Sequence, residues 1–283
     1  TRGIPPAPER LLQVVAVSKL ADQPTSTQEQ VKALGELMNT HEFENTVYSY
    51  MDLLQKRAKR PAGAPDLGLA RPIKKVGIIG AGLMATQLAV LFAQRLQVPV
   101  VLTDISEMAV HRGLGLVKHQ LQRQADRGRL TVEKQRGIES LITGSADKSV
   151  FADADFVIEA VFEELEVKQQ VLRDIEAVVT PDAILATNTS SLSVTEMASE
   201  LQHPERLIGF HFFNPVAAMQ LVEIVRTEDT NDVALATAFQ LAADLRKSPI
   251  LVKDATAFAV NRVLLRMMAD VQRVFDEGSP AEV

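Results

Sequence analysis

No cysteine occurs anywhere in the chain, which excludes disulfides and any zinc site built on thiolates. No metal site of another kind is expected. No apolar run approaches the roughly 20 residues that a membrane-spanning helix needs. Neither sign of charge dominates, with 30 lysines and arginines against 36 aspartates and glutamates. That mildly acidic balance argues against nucleic acid or an anionic membrane as the main partner. No signal peptide is visible, and the first residue is Thr1 rather than methionine. The chain therefore reads as a piece of a longer polypeptide, cytoplasmic by default. What is present is ample apolar material: 46% of 283 residues, enough for one large domain or two ordinary ones.

Residues 1–72 differ from the rest. Pro5, Pro6 and Pro8 open the segment, and helical patterns follow over roughly 27–39 and 42–58. The second ends in the basic run Lys56-Arg57-Ala58-Lys59-Arg60, read as a solvated helix end whose cations complement the helix dipole. A turn-rich stretch, Ala62 to Gly68, closes the segment. From Ile73 strands and helices alternate. Strands are expected at Val76–Ile79, Val98–Thr103, Phe156–Ala160, Ile184–Thr187, Leu207–Phe212, Leu221–Val225 and Ile250–Val252. Helices are expected near 83–96, 107–127, 131–139, 164–178, 194–201 and 233–245. Repeated β-α-β predicts an α/β fold with a mostly parallel, doubly wound sheet. Residues 256–275 read as helix alone, with Met267-Met268 as core packing. The expected divisions are 1–72, 73–253 and 254–283.

Two patterns carry chemistry. In the first, Gly80-Ala81-Gly82-Leu83-Met84-Ala85 follows a strand and opens a helix. Gly80 permits the tight turn, and Gly82 lets backbone amides approach a pyrophosphate at the helix start, with Leu83 and Met84 in its first turn. Ala85 is small enough for helix–strand packing. Asp104 ends the second strand, near the ~20-residue spacing of a ribose-binding carboxylate. It would accept from a 2′-hydroxyl and repel a 2′-phosphate, favouring NAD over NADP. In the second pattern, His211 lies inside the apolar run Gly209-Phe210-His211-Phe212-Phe213-Asn214-Pro215. Glu223 follows twelve residues later, inside Leu221-Val222-Glu223-Ile224-Val225. A buried carboxylate is costly without a partner, and a histidine that donates to one acquires a fixed orientation. The pair reads as a general base and its orienter.

With these motifs in place, residues 73–283 resemble the 3-hydroxyacyl-CoA dehydrogenase family. The matching segments are Gly80–Ala85, Val157–Glu163, Asn188-Thr189-Ser190-Ser191-Leu192, Gly209–Pro215, Leu221–Val225 and Asn261-Arg262. Residues 1–72 resemble the connection between the hydratase and dehydrogenase parts of multifunctional fatty-acid-oxidation proteins. The resemblance implies a Rossmann-like NAD-binding domain followed by a helical domain, of which this chain holds only the beginning. It implies oxidation of (S)-3-hydroxyacyl-CoA to 3-oxoacyl-CoA with NAD+ in fatty acid β-oxidation. His211 would take the hydroxyl proton, Glu223 would orient it, Ser190 would bind the substrate oxygen, and Asn261 would help hold the reacting group. Glu163, Lys168, Asn188 and Asn214 would contact the cofactor region. The helix 107–127 matches a segment that touches coenzyme A, with Arg127 as a phosphate contact. Association into homo-oligomers or a β-oxidation complex is a further implication.

Plainer readings stand beside these. His211 could be a satisfied core histidine, and Glu223 could pair with Arg226. Ser190 or Ser191 could cap the helix that starts near Ser193-Val194-Thr195-Glu196. Asn261 and Lys168 could be solvated helix residues. His41, His111, His119 and His203 read as surface residues. Two other functions stay open: a 3-hydroxy acid dehydrogenase acting on non-CoA substrates, and a non-catalytic NAD-binding module.

Overall fold

A computed structural model describes residues 6–51 and 62–278. The chain divides into two compact units, Thr1–Arg60 and Pro61–Val283.

In the first unit, α1 (Pro6–Ser18), α2 (Gln23–Met38) and α3 (His41–Val47) follow one another. α1 was not expected from the proline-rich opening; Pro6 and Pro8 sit in its first turn, where a missing N–H costs nothing. Asp22 caps α2 by accepting from the Thr25 amide at 3.0 Å. Arg10 of α1 clasps α2 through Glu29 and Glu36, each at 2.7 Å. The helix expected over 42–58 gives way to a π-type turn at 48–51. Its remainder, with the basic run 56–60, lies outside the described residues.

The second unit is built on one eight-stranded sheet. Its strands are β1 (Val76–Ile79), β2 (Val100–Thr103), β3 (Ile142–Gly144), β4 (Phe156–Glu159), β5 (Ile184–Thr187), β6 (Leu207–Phe212), β7 (Leu221–Arg226) and β8 (Ser248–Lys253). Their order is β3-β2-β1-β4-β5-β6-β7-β8. Neighbours run parallel except β6 and β7. β1, β2, β4 and β5 are buried at every residue, which is why they appear as near-continuous apolar runs instead of alternating patterns. β3 was not expected. It is three residues long with one buried side chain, so it leaves almost no periodic signal.

The helices are α4 (Leu83–Leu96), α5 (Glu107–Asp126), α6 (Val132–Leu141), α7 (Leu165–Glu176), α8 (Val194–Ala198), α9 (Asp232–Asp244) and α10 (Val260–Asp276). One face of the sheet packs Phe156, Phe210 and Phe212 against Phe92 of α4 and Phe239 of α9. The other packs Val157 and Leu185 against Leu172 and Ile175 of α7 and Met197 of α8. Leu67–Leu69 form a short 3₁₀ turn against α9, and the Arg71 amide donates to Thr237. Residues 62–72 thus pack with the sheet unit. The strand order reverses at β1, and the carboxyl ends of β1 and β4 mark the switch point where doubly wound sheets bind ligands.

Two expectations need correction. The last helix starts at Val260 instead of Thr256, because Ala257 and Phe258 take left-handed backbone angles, φ 61° and 48°. Met267 and Met268 are not core: both are more than half exposed on α10. Among the described residues no helix is long and apolar enough to cross a membrane.

Candidate active site

The turn after β1 is shaped for a close backbone approach. Gly80 has φ 107°, and a β-carbon there would lie 2.7 Å from the Ala160 carbonyl. Gly82 begins α4 with no side chain capping it and no acid in the first turn, so the first amides of a fourteen-residue helix face outward without an intramolecular partner. Asp104, at the end of β2, accepts from the Ala81 amide through Oδ2 and from the Ile105 amide through Oδ1, both at 2.7 Å. Its carboxylate therefore locks the glycine turn to the next strand. Leu83 is exposed beside this turn, and Met84 lines the adjoining cleft.

That cleft, about 350 Å³, is lined by Met84, Glu163, Lys168, Asn188, Ser190, His211 and Asn214, together with Ala160, Val161, Phe212 and Phe213. His211 and Glu223 are register partners across β6 and β7, so their side chains share a face of the sheet. His211 Nδ1 lies 2.7 Å from Glu223 Oε2. The other carboxylate oxygen accepts from the Ala259 and Val260 amides at 3.0 and 2.9 Å. Glu223 is fully buried. Burial alone would raise its pKa. The bonds from His211 and the two amides outweigh it and hold the group below the usual carboxylate range. Arg226 turns to Asp232 instead, so the alternative pairing is not formed. Phe213 and Phe258 pack around the imidazole.

A second carboxylate cluster closes the cleft floor. Lys168 is 1% exposed, which overturns its reading as a solvated charge. Its ammonium donates to both oxygens of Glu159, at 2.9 and 2.8 Å, and lies 3.2 Å from Glu163. Thr187 also donates to Glu159. Glu163 Oε1 accepts from the Thr189 hydroxyl at 2.7 Å, the Ser190 amide at 2.7 Å and the Ser190 hydroxyl at 3.0 Å. Burial works against the Glu163 carboxylate, but these donors and Lys168 keep its pKa low. Neither Ser190 nor Ser191 caps α8; Ser193 does, accepting from the Glu196 amide. Asn188 accepts from the Phe212 amide at 2.9 Å, tying β5 to the strand that carries His211. Asn261 lies apart from the cleft lining, its amide 3.4 Å from the Ser190 carbonyl. His41, His111, His119 and His203 are exposed.

A neighbouring cavity of about 490 Å³ lies along α4 and α5. Arg123, Arg127 and Arg129 line it, together with Gln87, Gln120 and Asn214. Sequence reasoning singled out Arg127 alone; Arg123 stands one helical turn earlier, in the last turn of α5, and Arg129 joins them from the turn that follows the helix. Gln87 and the Glu159–Thr187–Thr189 group were also missed. Glu159 was findable, since it interrupts the apolar run Phe156-Val157-Ile158-Glu159-Ala160 just as Glu223 interrupts its own strand.

Comparison with known proteins agrees with this geometry. The 3-hydroxyacyl-CoA dehydrogenase, NAD binding domain family matches residues 75–255. Among solved structures, (S)-3-hydroxybutyryl-CoA dehydrogenase from Ralstonia eutropha is 38% identical, with a TM-score of 0.72 over 75% of each chain. FadB2 from M. tuberculosis is 32% identical, with a TM-score of 0.71 over 75% of each chain. The dehydrogenase part of multifunctional enzyme 1 from C. elegans is 28% identical, with a TM-score of 0.66 over 81% of this chain and 53% of that one. The fold and site define a dinucleotide-binding oxidoreductase domain. This chain belongs to the 3-hydroxyacyl-CoA dehydrogenase family, and its cofactor is NAD. The uncapped start of α4, the bare backbone at Gly82 and the locked Asp104 suit that cofactor.

Proposed function

We propose that this chain oxidises (S)-3-hydroxyacyl-CoA to 3-oxoacyl-CoA, as a step of fatty acid β-oxidation, with His211 as the general base. The observation that carries the reading is the 2.7 Å contact between His211 Nδ1 and the buried Glu223 carboxylate, at the wall of an open cleft. A carboxylate fixed by two amides cannot turn away, so it accepts a hydrogen bond from Nδ1–H and leaves the Nε2 lone pair for substrate. The Glu223 carboxylate, an acceptor only, dictates that tautomer. When the 3-hydroxyl gives its proton to Nε2, the positive charge on the ring meets Glu223. NAD, when bound, supplies the hydride acceptor.

The remaining residues orient. Ser190, which lines the same cleft as His211, would turn its hydroxyl from Glu163 to donate to the substrate oxygen, its amide staying on Glu163. Asn188 fixes the strand that carries the base. The sign of charge in the neighbouring cavity suits the phosphates of coenzyme A, with three arginines and no acid in its lining. That favours a CoA thioester over a free hydroxy acid. A purely NAD-binding module would have no use for a buried base and orienter facing an open cleft.

The test is NADH formation from (S)-3-hydroxybutyryl-CoA and NAD+, beside His211→Ala and with NADP+ in place of NAD+. We expect NAD-dependent turnover that falls by about 10²–10⁴ in the variant. Turnover equal in both proteins would refute the assignment of the base. Failure of free coenzyme A to compete with substrate would refute the CoA reading.

A further inference from the structure

The segment joining β6 to β7 carries Asn214, and Asn214 lines both the His211 cleft and the arginine cavity. Pro215, Ala217 and Ala218 continue the wall of the second cavity. The segment is thus the partition between the two spaces. It is a single tight turn, with the Pro215 carbonyl accepting from the Ala218 and Met219 amides, each at 3.0 Å.

Two side chains from elsewhere hold this turn at both ends. Gln87 of α4 donates to the Asn214 side-chain oxygen at 3.1 Å and accepts from the Val216 amide at 2.8 Å. Lys247, just before β8, donates to the Val216 carbonyl at 2.5 Å and the Met219 carbonyl at 2.6 Å. Lys247 is 8% exposed, and among the described residues no carboxylate lies within ion-pair distance of it. Burial, with Arg95 adding to it, pushes its pKa below the usual lysine range. Placing a cation there is costly. The turn's carbonyls are what compensate it, as cations do at a helix C-terminus. A methionine would fill the same space without that cost, but it would leave both carbonyls without their donor.

We infer that Lys247 and Gln87 are positioning residues that hold the 214–219 turn between them, so that Asn214 and the partition align an acyl-CoA reaching from the arginine cavity to His211. The inference rests on the function proposed above. Neither side chain is assigned contact with reacting atoms. They act through Asn214 and the wall.

The experiment compares Lys247→Met and Gln87→Leu with the wild-type chain by amide hydrogen exchange and by steady-state reduction of acetoacetyl-CoA with NADH. Both variants should speed exchange at Val216, Ala218 and Met219 while leaving the sheet amides unchanged. Both should lower kcat/KM for acetoacetyl-CoA by about tenfold or more, as expected of a displaced binding wall. Two variants on opposite sides of the turn guard against one that fails to fold. Unchanged loop exchange would overturn the clamp. Faster loop exchange with unaltered kcat/KM would overturn its positioning role. A wild-type chain that binds coenzyme A without turnover would sink the function reading alone. In that event, a coenzyme A affinity unchanged by either variant would still overturn the inference, and a weakened one would support it.

Discussion

His211 and Glu223 are direct register partners in the antiparallel pairing that interrupts an otherwise parallel sheet. This geometry explains why twelve residues of sequence separation become 2.7 Å in space: one strand, one turn and one return strand set the two side chains opposite each other. Glu223→Gln separates geometry from charge. Glutamine can still accept from Ala259 and Val260 through its oxygen, which turns its NH₂ toward His211 Nδ1. The imidazole must then accept at Nδ1 and carry its proton on Nε2, where it cannot act as a base. We expect kcat to fall by about 10³, by analogy with carboxylate-to-amide changes at catalytic histidines, with NADH affinity unchanged. A fall below tenfold in stopped-flow single turnovers would refute the orienting role.

Asp104 has both oxygens committed to backbone amides. Asp104→Asn places one NH₂ against an amide that needs an acceptor, so the glycine turn loosens as the ribose partner weakens. NADH should bind about 10- to 100-fold more weakly, and its advantage over NADPH should shrink with the loss of negative charge. Fluorescence titration of both nucleotides checks this; an unaltered ratio would place selectivity elsewhere.

Legibility in the sequence followed burial and length. β1, β4, β5 and α4 are strongly apolar and bounded by turns, and the expected bounds differ from the observed ones by at most one residue. The pairing of His211 with Glu223 was legible because a polar residue in an apolar run asks for a partner. β3 was hidden by its brevity, and α1 by prolines that helices accept in their first turn. The start of α10 was hidden for another reason. Local pattern favours helix from Thr256, but Asp254 and Glu223 draw the intervening backbone to tertiary partners, and Ala257 and Phe258 take left-handed angles in between. The Gln87 and Lys247 contacts are long-range bonds, three of the four to backbone atoms, which no side-chain pattern announces.

Asp254 joins the end of β8 to the start of α8. It accepts from the Ser193 hydroxyl and the Thr195 amide at 2.8 Å and from the Val194 amide at 3.2 Å. Burial opposes its charge, yet these donors hold its pKa below the ordinary 3.8. A carboxylate with a depressed folded pKa contributes stability that is present above its unfolded value and lost as pH falls through the folded one. Asp254→Asn should therefore cost about 2 kcal/mol at neutral pH, and the gap should close as pH drops below 3.8. Urea unfolding across that range measures it; a gap independent of pH would show that the charge is not what stabilises.

Lys168 and Glu159 form an ion pair with almost no solvent contact, 1% and 0% exposed at the side chains. The energetics of such pairs are asymmetric. Removing one partner leaves a buried charge unmatched and costs about 3–5 kcal/mol, whereas replacing both with apolar groups is often neutral. Here the asymmetry is tilted by geometry. Lys168 keeps a second carboxylate, Glu163, at 3.2 Å, while Glu159 keeps only Thr187 and the Val161 amide. Lys168→Met should therefore destabilise the chain more than Glu159→Gln does, and the double variant should recover part of the loss. Glu159→Gln retains a cation beside Glu163, so it should bind NADH better than Lys168→Met. Thermal unfolding of the three variants forms a double-mutant cycle. Strictly additive losses would show that the two groups do not act as a pair, and equal NADH affinities would remove Lys168 from the cofactor site.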